Sequence, residues 1–367
     1  MLFFLPVLAL YFQKDLFTVA NVSIIFAVEA LASVLFEIPT GAMADIFGRK
    51  KTIIVSQAIL ICAIFFLYLG GNIAMFIIYA ILNAFSASLA SGTDEAIIYD
   101  SLQEENKESY FKKIIGIYGS LWPLGASIGS IIGGYIAKVS LQSTVSISFI
   151  PVVIALILTS FLREPFYKKE DHKNILRHMG NAIGVIMRNK QLIILAIASF
   201  IMMALGESAH LLTPIFLKFK GIDIEYFGWI TALSFGLSSA GFYFSHGVAE
   251  KIGDKGSLIL TTTLAPIFIL IATLLHGFSL VIFFVVAAIF FGIRNPILGH
   301  LMNTNIVSSK RATVISINNF IGKLGLVITM PLFGYFAGIY TISVAIQASA
   351  MCLLTVPLLF LLLNTTD

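Results

Sequence analysis

The segment between the second and third long apolar blocks of the chain reads GAMADIFGRKK and covers residues 41–51. A related segment, HGVAEKIGDK, covers residues 246–255 and again separates two apolar blocks. Further matches recur at a spacing of about 200 residues: Gly92 with Gly292, Gly125 with Gly325, and Gly134-Tyr135 with Gly334-Tyr335. Several matches in the same order predict that the chain consists of two similar halves.

The composition places this chain in a membrane. Of its 367 residues, 58% are hydrophobic and only 11% are charged, and the mean hydropathy is +0.97. Soluble domains carry about 25% charged residues, so an ordinary soluble enzyme, a nucleic-acid-binding protein and a disordered chain are excluded. Blocks of about 20 apolar residues cross a bilayer as helices. We count twelve blocks, at residues 1–12, 18–43, 52–70, 73–98, 113–137, 141–163, 190–218, 226–249, 256–276, 279–301, 312–339 and 341–363.

Basic residues predict the orientation of these blocks. Seventeen of the 23 Lys and Arg residues fall in the alternate connections that share a side with Arg49, whereas the other side holds only Lys14, Lys138, Lys218 and Lys220. Because Lys and Arg are retained in cytoplasmic loops, we expect the connection at Arg49 and both termini to be cytoplasmic.

The longest polar stretch, which runs from Arg163 to Lys190, divides the chain. We therefore predict a first six-helix half over residues 1–163, a cytoplasmic linker over 164–189 and a second six-helix half over 190–367. The first block has only about 12 apolar residues, too short to cross at 1.5 Å per residue. Alignment of the halves implies that about 15 residues of the first helix are missing, so we expect either an upstream start or a shortened form.

The segment at residues 41–51 resembles the signature loop of the major facilitator superfamily, a Gly-x-x-x-Asp-x-x-Gly-Arg-Arg/Lys pattern. The resemblance covers the whole chain and is strongest to bacterial drug exporters. It implies an all-α integral membrane protein with the twelve-helix transporter fold, built from two pseudo-symmetric six-helix bundles. It also implies that helices one, four, seven and ten line a central cavity.

The resemblance assigns a gating role to residues of the signature loop and the fourth block. It implies that Asp45, Arg49 and Asp100 form a charge cluster that favours the outward-open state, with Lys50 contributing. Gly41 allows close helix approach and Gly48 allows a tight turn. The alternative for the basic residues is that they only orient the protein.

Block five departs from the drug exporters. Their antiporter motif contains a Gly-Pro pair, whereas here Gly129 is followed by Ser130. The stripe of Gly125, Gly129 and Gly133 remains on one helix face, where it allows another backbone to approach. This stripe serves either static packing or a sliding contact between the two halves.

Ionisable residues at membrane depth are costly and usually face a cavity or a partner. Depth counted at 1.5 Å per residue predicts a Glu29–Lys323 pair between blocks two and eleven. The same count places Asp94 and Arg294 at one depth on opposite halves, where they could form a bridge that breaks as the cavity opens toward the cytoplasm.

Glu207 is the leading candidate for a proton site because it shares a helix face with His210. Asp94 and Glu95 are the next candidates. For each of these acids, the alternative is a structural ion pair or a side chain that reaches the membrane surface.

The chain has no phosphate-binding loop of the ATPase type and no Cys/His cluster, and we expect no metal, no cofactor and no enzymatic activity. Cys62 and Cys352 are predicted to be small buried hydrophobic residues.

We predict a monomeric secondary transporter of the cell membrane that exports a small organic compound by proton-coupled alternating access. Its partners would be the substrate, the proton and the bilayer. The alternatives are a nutrient importer or facilitator, and a non-transporting sensor with the same fold.

Overall fold

The computed structural model describes residues 1–165, 184, 186–306 and 311–363. Every regular element in these residues is helical. The first half contains α1 (Leu8–Leu16), α2 (Val19–Phe47), α3 (Arg49–Leu69), α4 (Ile73–Ala90), α5 (Thr93–Glu104), α6 (Phe111–Val139) and α7 (Leu141–Ser160). The second half contains α8 (Lys190–Ile201), a π-helical segment (Met202–Glu207), α9 (Ser208–Leu211), α10 (Thr213–Phe219), α11 (Glu225–Leu274), α12 (Gly277–Thr304), α13 (Arg311–Ile339), α14 (Ile342–Leu353) and α15 (Val356–Leu361).

The helices agree with the twelve apolar blocks. Ten helical segments of the described residues are long and apolar enough to cross a membrane, and one of them, α11, has 50 residues. α11 bends at Gly253, where φ is +72°, so it holds blocks eight and nine as two crossings. Block one contains the nine-residue helix α1. The prediction of an all-α membrane protein with twelve helices is confirmed.

The turns between helices reflect the internal repeat. Gly48 joins α2 to α3 with φ at +102°, and Gly253 makes the equivalent bend in the second half with φ at +72°. An L side chain rarely adopts these angles, which explains why glycine recurs at the two positions. We refer to the end of the molecule that carries these two turns as the basic end, and to the other as the opposite end.

The two halves meet along two seams. In the α6–α11 seam, a Cβ added at Gly134 would lie 2.8 Å from the Glu225 carbonyl oxygen, and one at Gly228 would lie 2.0 Å from the Ser130 carbonyl oxygen. In the α2–α13 seam, a Cβ at Gly334 would lie 2.7 Å from the Ser23 Cβ. These contacts lie near the opposite end, where the helix backbones of the two halves touch.

The glycine stripe of α6 packs within its own half. An added Cβ would lie 3.5 Å from Met1 at Gly129 and 1.9 Å from the Phe3 carbonyl oxygen at Gly133. Of the two alternatives for the stripe, the structure therefore favours static packing, and a sliding contact between the halves is not formed by these residues. The equivalent Gly325 packs on Ala204 in the second half, which repeats the arrangement.

The buried apolar residues show where the halves separate. The larger cluster combines side chains of both halves, among them Phe12, Phe76, Phe216 and Phe227. A second cluster consists of second-half residues alone, including Leu192, Ile297 and Phe360. The halves therefore share a core toward the opposite end and are separate toward the basic end.

The prediction that the cysteines are buried is wrong. Cys62 and Cys352 are both exposed on the surface of the helix bundle. A free cysteine is a small apolar group, and a lipid-facing surface accepts it as readily as a core does.

Candidate functional site: the cavity between the two halves

A cleft of about 490 Å³ is lined by residues of the second half. It lies between α11, α12 and α13, and α11 and α13 are the helices that form the two seams. Its lining combines amide and apolar side chains: Phe242, Asn295, Pro296, Leu298, Gly299, Met302, Asn318 and Asn319. The cleft lies on the basic-end portions of these helices.

One ion pair crosses the α2–α13 seam beside this cavity. Lys323 Nζ donates to Glu37 Oε2 at 3.1 Å, and both side chains are about 30% exposed. The predicted pair of Lys323 with Glu29 is not formed, so that prediction names the two helices correctly but the wrong acid. The reason is that α2 continues to Phe47. Counted from the opposite end at 1.5 Å per residue, Glu37 and Lys323 both lie about 25 Å deep, whereas Glu29 lies about 15 Å deep.

Glu29 instead has a partner within the first half. Its Oε1 accepts a hydrogen bond of 2.7 Å from Asn83 Nδ2, which joins α2 to α4. A carboxyl group at membrane depth requires such a donor, because an unpaired one is costly there.

Asp94 and Arg294 are not joined in this structure. Asp94 Oδ2 accepts a hydrogen bond of 2.6 Å from the Tyr118 hydroxyl on α6. The Arg294 guanidinium lies over the Phe291 ring at 5.1 Å, and its buried Nε has no hydrogen-bond partner. The hypothesis of a bridge that breaks when the cavity opens toward the cytoplasm stays a prediction.

Glu207 closes the π-helical segment of block seven, next to the cavity-forming helix α13. Its neighbour Ser208 exchanges a hydrogen bond of 2.9 Å with Thr329 on α13. Glu207 is half-buried and His210 is exposed, and in the described part of the chain neither side chain forms a hydrogen bond or ion pair with the other. π-Helical turns inside α-helices recur at functional sites, so the geometry keeps Glu207 as a candidate. Glu95 is exposed at the start of α5.

The signature turn forms a second cluster at the basic end. Arg49 Nε lies 3.3 Å from Asp100 Oδ2, so two residues of the proposed gating cluster are in contact. Glu164 accepts hydrogen bonds from the backbone N–H of Arg49 at 2.6 Å and of Lys50 at 3.1 Å. The side chains at positions 41 and 45 lie outside the described residues. The gating role stays a prediction.

Sequence reasoning missed three functional contacts: Glu37 with Lys323, Tyr118 with Asp94, and Glu164 at the start of α3. Glu37 lies only four residues before Gly41, so the sequence alone gives no reason to place it deep in the membrane. Nothing in the sequence could point to Glu164, because it lies 115 residues from Arg49. In the described ranges, the His, Cys, Asp and Glu residues form no group of three that could hold a metal ion.

Comparison with known proteins agrees with this architecture. The family model of the Major Facilitator Superfamily matches residues 1–223, more than half of the chain. The chain belongs to the Major Facilitator Superfamily. It is therefore a multi-pass membrane transporter of that family, and the family's proteins are not enzymes.

Two curated relatives are similar in sequence to this superfamily member. An uncharacterised MFS-type transporter, YxaM of Bacillus subtilis (strain 168), is 23% identical over 363 residues, which are 96% of this chain and 89% of the relative. The class B tetracycline resistance protein of Escherichia coli is 25% identical over 256 residues, which are 65% of this chain and 59% of that protein.

Solved structures confirm the fold. The nucleoside transporter NupG superposes with a TM-score of 0.80 at 16% identity, over 98% of this chain and 94% of NupG. A bacterial homologue of the human lysosomal transporter Spinster, solved in an inward-facing and unoccupied conformation, gives 0.78 at 14% identity, over 98% of this chain and 94% of the homologue. The D-xylose-proton symporter gives 0.74 at 12% identity, over 93% and 87% of the two chains.

Proposed function

We propose that this protein exports a small organic compound from the cell in exchange for protons, by alternating access of the cavity to the two sides of the membrane. The basic end would face the cytoplasm, with both termini on that side of the cell membrane, since Lys and Arg accumulate in cytoplasmic loops. The protein would work as a monomer, because each chain contains both halves of the cavity.

The observation that carries this proposal is the asymmetry of the contacts between the halves. The backbones touch at Gly134–Gly228 and Gly334–Ala20 near the opposite end, while the cleft lies toward the basic end. Rocking of the halves about such seams would close the basic end and open the opposite one, as inverted-repeat transporters do. Export is favoured by the likeness to a tetracycline resistance protein.

Glu207 is the proposed proton carrier. It is half-buried on block seven and has no ion-pair partner among the described residues. A carboxyl group in such a place can take up a proton on one side and release it on the other as access alternates. Asp94 is the second candidate, and its carboxylate accepts a hydrogen bond from the Tyr118 hydroxyl.

A proton-flux assay tests the proposal. The full chain is reconstituted in liposomes that contain a fluorescent pH indicator, and compounds selected by thermal-shift screening are added outside. An exchanger moves protons out as the compound enters, so the internal pH rises whichever way the protein is inserted. An importer that moves protons with its substrate lowers the internal pH, and a sensor changes nothing.

Two variants make the assay specific. We expect Glu207→Gln to abolish the pH change while substrate exchange without a gradient continues. Glu250→Gln is the matched control, because Glu250 is exposed near Gly253 and, among the residues that the structure describes, pairs only with His246 on its own helix. Internal acidification by the wild-type protein would favour the alternative of nutrient uptake.

A further inference from the structure

The strongest unassigned feature is Arg294, a cation at membrane depth with no acid to balance it. Arg294 and Lys323 are both cations of the second half. Counted at 1.5 Å per residue along their helices, each lies about 25 Å from the opposite end of the molecule. Lys323 is paired with Glu37. Among the described residues no carboxylate oxygen lies within 4.0 Å of the Arg294 guanidinium, and its buried Nε–H donates to no partner. The positive charge of Arg294 is therefore not balanced by an acid in contact with it.

The position of Arg294 on α12 relates it to the cleft. Arg294 and Leu298 are four residues apart and share a helix face, and Leu298 lines the cleft. Because side chains tilt toward the start of their helix, the guanidinium lies on the opposite-end side of the cleft. It lies there over the ring of Phe291, which is 46% exposed. Arg294 is not itself one of the lining residues, but it lies one helical turn from Leu298 and therefore next to the cleft.

The rest of the cleft offers unused hydrogen-bonding groups. None of the side-chain amides of Asn295, Asn318 and Asn319 forms a hydrogen bond within the described chain, and the Asn318 oxygen is buried without a partner. Each amide offers one acceptor and two N–H donors. Phe242, Leu298 and Met302 supply apolar contact. A volume of about 490 Å³ fits one small organic molecule.

We propose that the cleft binds an organic monoanion, with its carboxylate at Arg294 and its apolar body along Phe242 and Met302. This inference rests on the proposed function, because it names the class of compound that the transporter carries. The positive charge of Arg294 matches one negative charge on the ligand. The amides match further hydroxyl or carbonyl groups on its body.

The test compares acids with their neutral amides at equilibrium. Binding of 2-naphthoate and of 2-naphthamide, followed by a panel of other aromatic monocarboxylates and their amides, is measured by calorimetry on the purified full chain. We expect the carboxylates to bind about 10- to 100-fold more tightly than the matching amides, as hydrogen bonds to charged groups imply. Equal binding of every acid and its amide would overturn the proposal, and so would binding of no acid.

Variants locate the charge preference. Arg294→Gln is expected to abolish the difference in affinity between naphthoate and naphthamide, and Arg294→Lys is expected to retain part of that difference. Arg188→Gln, at an exposed site outside the cleft, should behave as the wild type. If Arg294→Gln does not fold, Asn319→Asp adds a negative charge at the exposed rim. It should lower the ratio of naphthoate affinity to naphthamide affinity about 10-fold, and a preference that survives these changes would overturn the proposal.

Failure of the binding test can be distinguished from failure of the proton-flux test. Loss of the charge preference in a protein that still exchanges protons for a compound would refute only the monoanion. A monoanion preference without any substrate-driven pH change would refute proton-coupled export and leave the ligand class of the cleft intact.

Discussion

Glu37 and Lys323 join the two halves of the molecule at a depth where water is scarce. Their partnership depends on how far α2 and α13 extend, since each residue between the helix end and the charge adds about 1.5 Å. The sequence places both residues on the correct helices, but the end of α2 cannot be read from an apolar pattern that fades into the signature loop. A depth counted from Gly41 therefore predicts Glu29, and not Glu37, as the partner of Lys323.

The pair should show energetic coupling. Glu37→Gln and Lys323→Gln should each lower the unfolding temperature in detergent. In the double variant the free energy of unfolding should fall by less than the sum of the two single losses. We expect a coupling energy of about 1 kcal/mol, because both side chains are partly exposed. The Glu105–Lys107 pair in an exposed connection is the matched control and should show no coupling. Additive losses at Glu37 and Lys323 would contradict the role of the pair.

Glu164 should act as a distant cap for α3. Its carboxylate accepts from the first backbone N–H groups of the helix, where a negative charge is stabilising. Glu164→Ala should lower the free energy of unfolding by about 1 kcal/mol, and Glu164→Gln by less because the amide oxygen still accepts. Glu104→Ala, which removes only an exposed pair with Arg163, is the control. Equal effects of the two alanine variants would show that Glu164 does not cap the helix.

At the scale of helices, the glycine matches between the halves are the part of the sequence that translates most directly into structure. Gly48 and Gly253 make equivalent turns, and Gly134 and Gly334 occupy equivalent places in the two seams. The interruptions of helices were not predicted. Block four breaks where Gly92 adopts φ +76°, and block seven contains the π-helical segment. Both depend on neighbouring helices that satisfy the freed backbone groups, which local sequence does not reveal.

The α6–α11 seam gives a prediction for one glycine. In Gly228→Ala the new methyl group would lie 2.0 Å from the Ser130 carbonyl oxygen, and backbone cannot move aside cheaply. The opposite end should therefore open more often. A cysteine introduced at Tyr135, in a chain with Cys62 and Cys352 replaced by serine, should react faster with a membrane-impermeant thiol reagent added outside.

Gly236→Ala is the control in the same helix, since nothing lies within 4 Å of its added Cβ. It should leave the reaction rate of the Tyr135→Cys site unchanged. If both alanine variants gave the same rate, close backbone packing at Gly228 would not hold the opposite end closed.

At the scale of the whole molecule, composition and block length were enough to predict a helical membrane protein with twelve helices. The side on which the cavity opens was not predictable, because it depends on a small difference between two sets of contacts between the halves. In this structure the Tyr135–Trp229 hydrogen bond of 3.1 Å and the Lys138–Glu225 ion pair close the opposite end. The proposed alternation of access would require these contacts to break in each cycle.

Distances between spin labels on the two halves test this account most directly. One pair, at Val139 and Tyr226, spans the opposite end of the α6–α11 seam, and another, at Tyr110 and Glu250, spans its basic end. Before substrate is added, the first distance should be short and the second long. With substrate and a proton gradient, a population should appear in which the first has lengthened and the second has shortened. Transport with both distances unchanged, or with both changing in the same direction, would contradict rocking of the two halves.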